Sequence, residues 1–384
     1  MSERTGKPSV MVVGIGEVGR YLLEFLARGG RPIEILAGDV DLAEVQAKVD
    51  NALFGAALHG RHPRIRAREI DLFDIDRTAE VLAEWQPDVV VNCAVLQTWH
   101  VIRRLPEDVY AKLSSAGLGA WLPVQLTLAM KMAQAIKRSG VRTHYINTSL
   151  SDLTNPVLGA MGVAPTIGIG NVALIETAVR TLVARKKGKP RESVGLKMVA
   201  HHVHWVVWRE AGYREGAPFY LKIVVDGVDV TSQFDPPSLM KEAILLYPGG
   251  TSFSAVSASS AIQNLWALLS EEPVGGHSPG PNGLPGGYPV LLSRQGAEVD
   301  LPAEISLEEA IGLNTEAQTY DGIERIDADA RVHFMPYAIE IMKDTLGLDC
   351  ASFTPDEAEG LAREQMDRFQ ALERRYRSDS SVGD

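Results

Sequence analysis

A short apolar run, Val10 to Val13, passes directly into Gly14-Ile15-Gly16-Glu17-Val18-Gly19 and then into a helical pattern from Tyr21 to Ala27. This order of strand, glycine-rich turn and helix constrains the fold more than any other feature of the chain. Glycines let a diphosphate approach the backbone, and the unpaired N–H groups at the start of the next helix stabilise its charge. A second apolar strand, Ile33 to Leu36, leads to Asp39, twenty residues after Gly19. A carboxylate there accepts hydrogen bonds from ribose hydroxyls. The pattern predicts a dinucleotide site built from Gly14, Gly16, Glu17, Val18, Gly19 and Asp39, with NAD as the cofactor. Asp39 would repel a 2′-phosphate, while His59, Arg61 and Arg64 keep NADP open as the alternative.

The first half continues the alternation. A polar helical stretch, Leu42 to Phe54, precedes a basic connection from His59 to Arg68, and Thr78 to Trp85 is again helical in pattern. Val89-Val90-Val91-Asn92-Cys93-Ala94 is the continuous apolar run of a central parallel strand covered on both faces. A helix from Val124 to Arg138 and a strand from His144 to Asn147 follow. The expected fold is α/β, an N-terminal Rossmann domain with a doubly wound parallel sheet and ligands at the carboxyl ends of its strands. Asn92, Cys93, Ala94 and Asn147 are therefore expected beside the cofactor. Cys93 reads as a small buried residue rather than a nucleophile.

The second half changes character. Asp226-Gly227, between Leu221 to Val225 and Val228 to Thr231, signals a hairpin with a primed turn. Next come a small-residue helix, Ser252 to Leu269, and a Gly/Pro-rich segment, His277 to Gly287. A strand pair, Pro289 to Ser293 with Ala297 to Leu301, precedes helices at Leu307 to Gln318 and Pro336 to Lys343. Residues 355 to 376 read as an amphipathic surface helix or interaction arm, and Ser378 to Asp384 as a frayed tail. Three parts are expected: residues 1–150 for the dinucleotide, 151–350 as an α+β substrate and oligomerisation domain, and 351–384 as a helical arm and tail.

Composition narrows the partners. The net charge of −11 is spread along the chain, which argues against nucleic acid or an anionic membrane and for a small-molecule substrate. Met1-Ser2-Glu3-Arg4 lacks the apolar core of a signal peptide, and the long uncharged stretches are broken by Gly, Pro, Asn, Gln or Ser. The two cysteines, Cys93 and Cys350, form no disulfide framework, so a cytoplasmic location is expected.

Several segments carry a family likeness. The Gly14-x-Gly16-x-x-Gly19 turn with Asp39 resembles the cofactor site of the superfamily that joins lactate and malate dehydrogenases to the NAD-dependent family 4 glycosidases. Asn147 precedes Ile167-Gly168-Ile169-Gly170 by twenty residues, which is similar to the spacing between that family's strand-end Asn-Pro and its Ile-Gly-x-Gly segment. Ala200-His201-His202-Val203-His204-Trp205 resembles the segment with the catalytic histidine, His202 matching best. Thr251-Ser252-Phe253-Ser254-Ala255 and the stretch from Gly286 to Pro302 are similar to its later helix and hairpin. The resemblance implies a lactate/malate dehydrogenase-like C-terminal domain and a homodimer or homotetramer.

The departures carry as much meaning. The family's His-orienting Asp and carboxylate-binding Arg fall on Leu174 and Thr177, or with a one-residue slip on Ile175 and Ala178, so a simple 2-hydroxy acid is not expected. Gly170 stands where the glycosidases carry a metal-binding Cys, so metal-assisted glycoside cleavage is not expected either and no metal is assigned.

The chemistry then rests on the groups present. Removing the proton from an alcohol as it is oxidised calls for a base with a pKa near neutrality. His202 is the candidate, with Asn147 to bind the carboxamide or the reacting oxygen and Glu176 to replace the lost Asp. The loop from Gln97 to Arg104 occupies the place of a mobile lid, with Trp99 and His100 lining the pocket and Arg103 or Arg104 polarising a carbonyl or binding an anion. A surface pair beside Glu107 and Asp108 is the plainer reading of these arginines. Asn171, His201 and His204 complete the substrate side. In a rival reading His202 and His204, two apart on one strand face, begin a divalent-metal site that Glu176 or Asp152 completes. The expected function is an NAD(P)-dependent oxidoreductase acting on a secondary alcohol or ketone of a polar small molecule, such as a sugar, nucleoside or modified amino acid. The alternatives are transient oxidation that serves an epimerase, lyase or hydrolase, and nucleotide binding without catalysis.

Overall fold

The computed structural model describes residues 7–248 and 253–380. Met1 to Arg4, Thr251, Ser252 and residues 381–384, which figure in the sequence reading, lie outside that range. Six parallel strands form the main sheet: β1 (Ser9–Val13), β2 (Glu34–Asp39), β3 (Arg64–Glu69), β4 (Val89–Asn92), β5 (His144–Asn147) and β6 (Ile167–Gly168). Their order is β3-β2-β1-β4-β5-β6. β1 and β4 sit at the centre because both of their faces are apolar. Met11, Val13 and Val90 join one hydrophobic core, while Val10, Val12, Val89 and Val91 join the other. The chain winds outward in both directions from β1, and the crevice above β1 and β4 is the switch point where such sheets bind ligands.

The connecting helices are α1 (Glu17–Arg28), α2 (Leu42–Leu58), α3 (Ile75–Trp85), α4 (Glu107–Ser114), α5 (Leu122–Ser139), α6 (Ser151–Ala160) and α7 (Val172–Lys187). Asp41 and Asp74 cap α2 and α3 by accepting the amides of Glu44 and Arg77. α1 begins at Gly16 with no side-chain cap. Its first amides are left for another acceptor.

Two expectations shift here. The basic connection up to Arg68 contains a strand, since Arg64–Glu69 pairs along the whole of β2 as the sheet's edge. The sheet also takes β6 from beyond residue 150, the boundary expected for the nucleotide part.

The second half holds three small antiparallel sheets. β7 (Val194–Val199), β8 (Tyr220–Val225) and β9 (Val228–Asp229) form one, with the short helix α8 (Val203–Val206) after β7. Asp226 and Gly227 both have positive φ, 50° and 81°, as a primed hairpin turn requires. α9 (Pro236–Ile244) and α10 (Ser254–Leu268) lead to β10 (Val274–Pro279), β11 (Gly287–Ser293) and β12 (Gly296–Val299). The Gly/Pro-rich segment ends β10 at Pro279, which an edge strand tolerates, then turns through Pro281–Gly283 before β11 begins at Gly287. α11 (Leu307–Thr319), β13 (Ile323–Ile326), β14 (Val332–Phe334), α12 (Pro336–Leu346), β15 (Ser352–Phe353) and α13 (Ala358–Ser380) complete the chain.

α13 is not a free arm. Ala358 and Ala362 are fully buried, Phe369 meets Trp121 edge-on at 5.9 Å, and Gln365 donates to the Ala120 carbonyl at 2.7 Å. Among the described residues no helix is long and apolar enough to cross a membrane.

Candidate active site

The carboxyl ends of β1 and β4 open into a cavity of about 530 Å³ that runs from Asp39 and Phe73, past Gly16, to His202 and Trp205. At its first end the glycine turn lies hard against β4. Gly14 has φ +86°, and a Cβ there would fall 2.2 Å from the Ala94 amide nitrogen, so only glycine fits. Gly16 differs. A Cβ on it would meet nothing within 4 Å and would stand in the cavity itself. Together with the uncapped start of α1, this leaves an open cradle of the kind that suits a diphosphate.

Asp39 stands at the lip of that cradle. Its carboxylate accepts the Ile15 amide at 2.7 Å and the Val40 amide at 2.8 Å, which fixes the side chain at the end of β2. The basic residues once considered for a 2′-phosphate are elsewhere. Arg64 pairs with Glu34 at the opposite end of β2, Arg61 packs by Gly30 before that strand begins, and His59 closes the far end of α2. A six-residue strand, roughly 16 Å long, separates them from Asp39.

At the other end is His202, which is 5 % exposed and lines the cavity. Its Nδ1 lies 2.8 Å from Asp321 Oδ2, and Asp321 is fully buried in the turn between α11 and β13. Asp321 is itself held. Its Oδ1 accepts the Leu118 amide at 2.9 Å, and its carbonyl accepts the Gly119 amide at 2.8 Å. Gly117 has φ +83°, and a Cβ on it would come within 2.3 Å of the Asp321 carbonyl, so this approach also needs glycine. Burial alone would lower the His202 pKa, but the charge and hydrogen bond of Asp321, helped by Asp152 and Glu210, outweigh it and raise the value above its ordinary 6.5.

Asp152, fully buried at the start of α6, is pushed up to about 6 by burial, an effect partly offset by His202 and by the Asn171 amide that donates to it. Asn171 lines the cavity with φ 40° and ψ −106°, a strained backbone for a residue with a side chain.

The sequence-predicted residues divide into those at the cavity and those turned away. Gly14, Gly16, Glu17, Val18, Asp39, Cys93, Ala94, Trp99, His100, Asn171 and His202 line it. Gly19 acts from behind, packing α1 against the Gly14 carbonyl. Asn147 and Asn92 are fully buried in local networks. Asn147 donates to Thr154 and Asn155 and accepts the Ser149 amide, and Asn92 closes on Ala94, so both shape the strand ends instead of presenting an amide to a ligand. Burial pushes the Cys93 thiol up to about 12, which leaves it inert.

Glu176 does not reach His202. It is ion-paired with Arg180 on α7, beside His277 in a separate pocket. Asp321, not Glu176, lies against the His202 ring. Arg103 pairs with Glu210, which also accepts from Tyr110, and Arg104 pairs with Glu373 of α13, so neither lines the cavity.

The paired-histidine reading fails on geometry. β7 ends at Val199, and His202 begins α8, so His202 and His204 share no strand face. His204 bonds the Ala217 carbonyl and the His201 backbone, and burial lowers the pKa of His201 to about 3. Among the described residues no group of three or more His, Cys, Asp or Glu is placed to hold a metal ion. Asp321, Trp205 and Phe253 were missed from sequence. The two aromatics stand within the matched segments, but no local pattern points to Asp321.

Comparisons with known proteins agree with this architecture. Residues 10–100 match the family model described as the saccharopine dehydrogenase NADP binding domain. The chain is similar in structure to lactate dehydrogenase from Eimeria maxima solved with NADH and oxamate, at TM-score 0.56 and 15% identity, covering 83% of this chain and 94% of that one. It is also similar to malate dehydrogenase from Plasmodium falciparum, at TM-score 0.54 and 15% identity, covering 82% and 98%. A comparison with curated proteins finds no match. The chain has a lactate/malate dehydrogenase-like fold. With the cradle at Gly16, the matched domain supports a nicotinamide dinucleotide cofactor.

Proposed function

We propose that this protein is an NAD-dependent oxidoreductase that interconverts a secondary alcohol and a ketone of a small molecule. One observation carries the reading: His202, backed by Asp321, opens onto the same cavity as the diphosphate cradle. A bound nicotinamide dinucleotide supplies the two-electron redox partner. Gly16 and the start of α1 would hold its diphosphate, and Asp39 its adenosine ribose. His202 Nε2 is the free ring nitrogen. It takes the hydroxyl proton in the oxidation direction and returns it in reduction, while Asp321 fixes the tautomer and stabilises the imidazolium.

NAD is favoured over NADP because the acids of the cavity lining include Asp39 and Asp71, and among the described residues that lining contains no Lys or Arg. The same absence removes the grip on a substrate carboxylate that a 2-hydroxy acid needs. His202→Gln tests the assignment. NADH binding, followed by fluorescence, should be retained, while turnover falls by about 100-fold or more. Unchanged turnover would refute the role. The reading also carries the expectation of a homodimer or homotetramer, which light scattering of the purified protein measures.

A further inference from the structure

We infer that the molecule brought to His202 is a neutral ketone or alcohol with a flat apolar body, such as an aryl group, rather than an anion. The inference rests on the oxidoreductase reading above and specifies its substrate. Aromatic rings share the cavity with His202. Trp205 meets Phe253 at 5.8 Å, His100 lies 6.1 Å from Phe253, and Trp99 lies 4.0 Å from His100, all four lining the cavity. Leu174, where a dehydrogenase of this fold class would carry a polar residue, adds another apolar surface.

The electrostatics around His202 point the same way. Asp321 and Asp152 flank it, and Glu210 contributes from further off. The nearest guanidiniums are committed elsewhere. Arg103 pairs with Glu210 and lies 4.9 Å from the Trp99 ring, and Arg209 lies 5.0 Å from the Trp205 ring, both lining the neighbouring groove. A carboxylate entering this space would lose its hydration with no Arg or Lys in the cavity lining to receive it. A cationic body would find the Trp99 and Trp205 rings already engaged by Arg103 and Arg209. A neutral planar group loses little hydration and gains stacking against Trp205 and Phe253.

A matched pair of probes isolates the point: 4-phenylbutan-2-one and 2-oxo-4-phenylbutanoate, which share the phenylethyl ketone and differ in the carboxylate. Calorimetric titration into NAD⁺-saturated protein avoids turnover. The neutral ketone should bind at least about tenfold more tightly, and Trp205→Ala should weaken it by about tenfold. Equal or tighter binding of the 2-oxo acid, or binding of neither probe, overturns the inference. Should Trp205→Ala not fold, Leu174→Arg provides the second variant. By installing a cation in the cavity it should reverse the preference toward the 2-oxo acid, and an unchanged ratio would count against the inference. Protein that takes up no nucleotide overturns the underlying oxidoreductase reading. Protein that binds NAD⁺ and prefers the 2-oxo acid overturns the substrate class alone.

Discussion

At the scale of single residues, the proposed chemistry rests on the pairing of His202 with Asp321. Asp321→Asn keeps the shape but removes the charge, so turnover should fall by about 100-fold and the pH profile should move. The raised His202 pKa means that the neutral base needed for alcohol oxidation is reached only above 6.5. In Asp321→Asn the rise in oxidation rate should come at lower pH, as kinetics in a constant-ionic-strength buffer series would show. Stability follows with a definite sign. A folded pKa above the unfolded value gives a contribution that is complete below the unfolded pKa and is lost as pH rises through the folded one. The gap in urea midpoint between wild type and Asp321→Asn should therefore narrow as pH rises above 6.5 through the folded pKa; a widening gap would contradict it. His202 was legible because its segment resembles a known one. Asp321 was not, since 119 residues separate it from its partner and only packing joins them.

At the scale of elements, the glycine turn separates two kinds of requirement. Gly14→Ala meets the Ala94 backbone and a positive φ, so it should unfold at markedly lower temperature. Gly16→Ala points into open cavity and should melt within a few degrees of wild type while losing about tenfold or more in NADH affinity. Calorimetry with and without nucleotide distinguishes them. A Gly16→Ala variant that binds NADH normally would remove the diphosphate from this cradle. The direction of β2 and β3 gives another expectation. With Asp39 at one end and Arg61 and Arg64 at the other, NADH should bind at least about tenfold more tightly than NADPH. Most strands and turns of this half were readable because periodicity and glycine placement are local, but β3 was not, since its alternating arginines lie on the sheet edge without an apolar run. The histidine segment was not, because a strand and a short helix of apolar residues have the same composition, and only the end of β7 at Val199 decides between them.

At the scale of the whole molecule, α13 matters to the site it never touches. Its Phe369 packs on Trp121 and its Gln365 bonds Ala120, next to the turn whose Leu118 and Gly119 amides hold Asp321. Phe369→Ala should cost about 3 kcal/mol in urea unfolding. A cost near zero would show that α13 packs only loosely. The sequence by itself determined the doubly wound sheet and pointed to the glycine turn and the histidine that the cavity brings together, since each is written in contiguous residues. The tertiary structure alone decided which acid backs that histidine, which arginines are already spent in ion pairs, and that Trp99, Trp205 and Phe253 line one cavity. Those are contacts between segments far apart in the chain, selected by how helices and small sheets pack rather than by any local pattern.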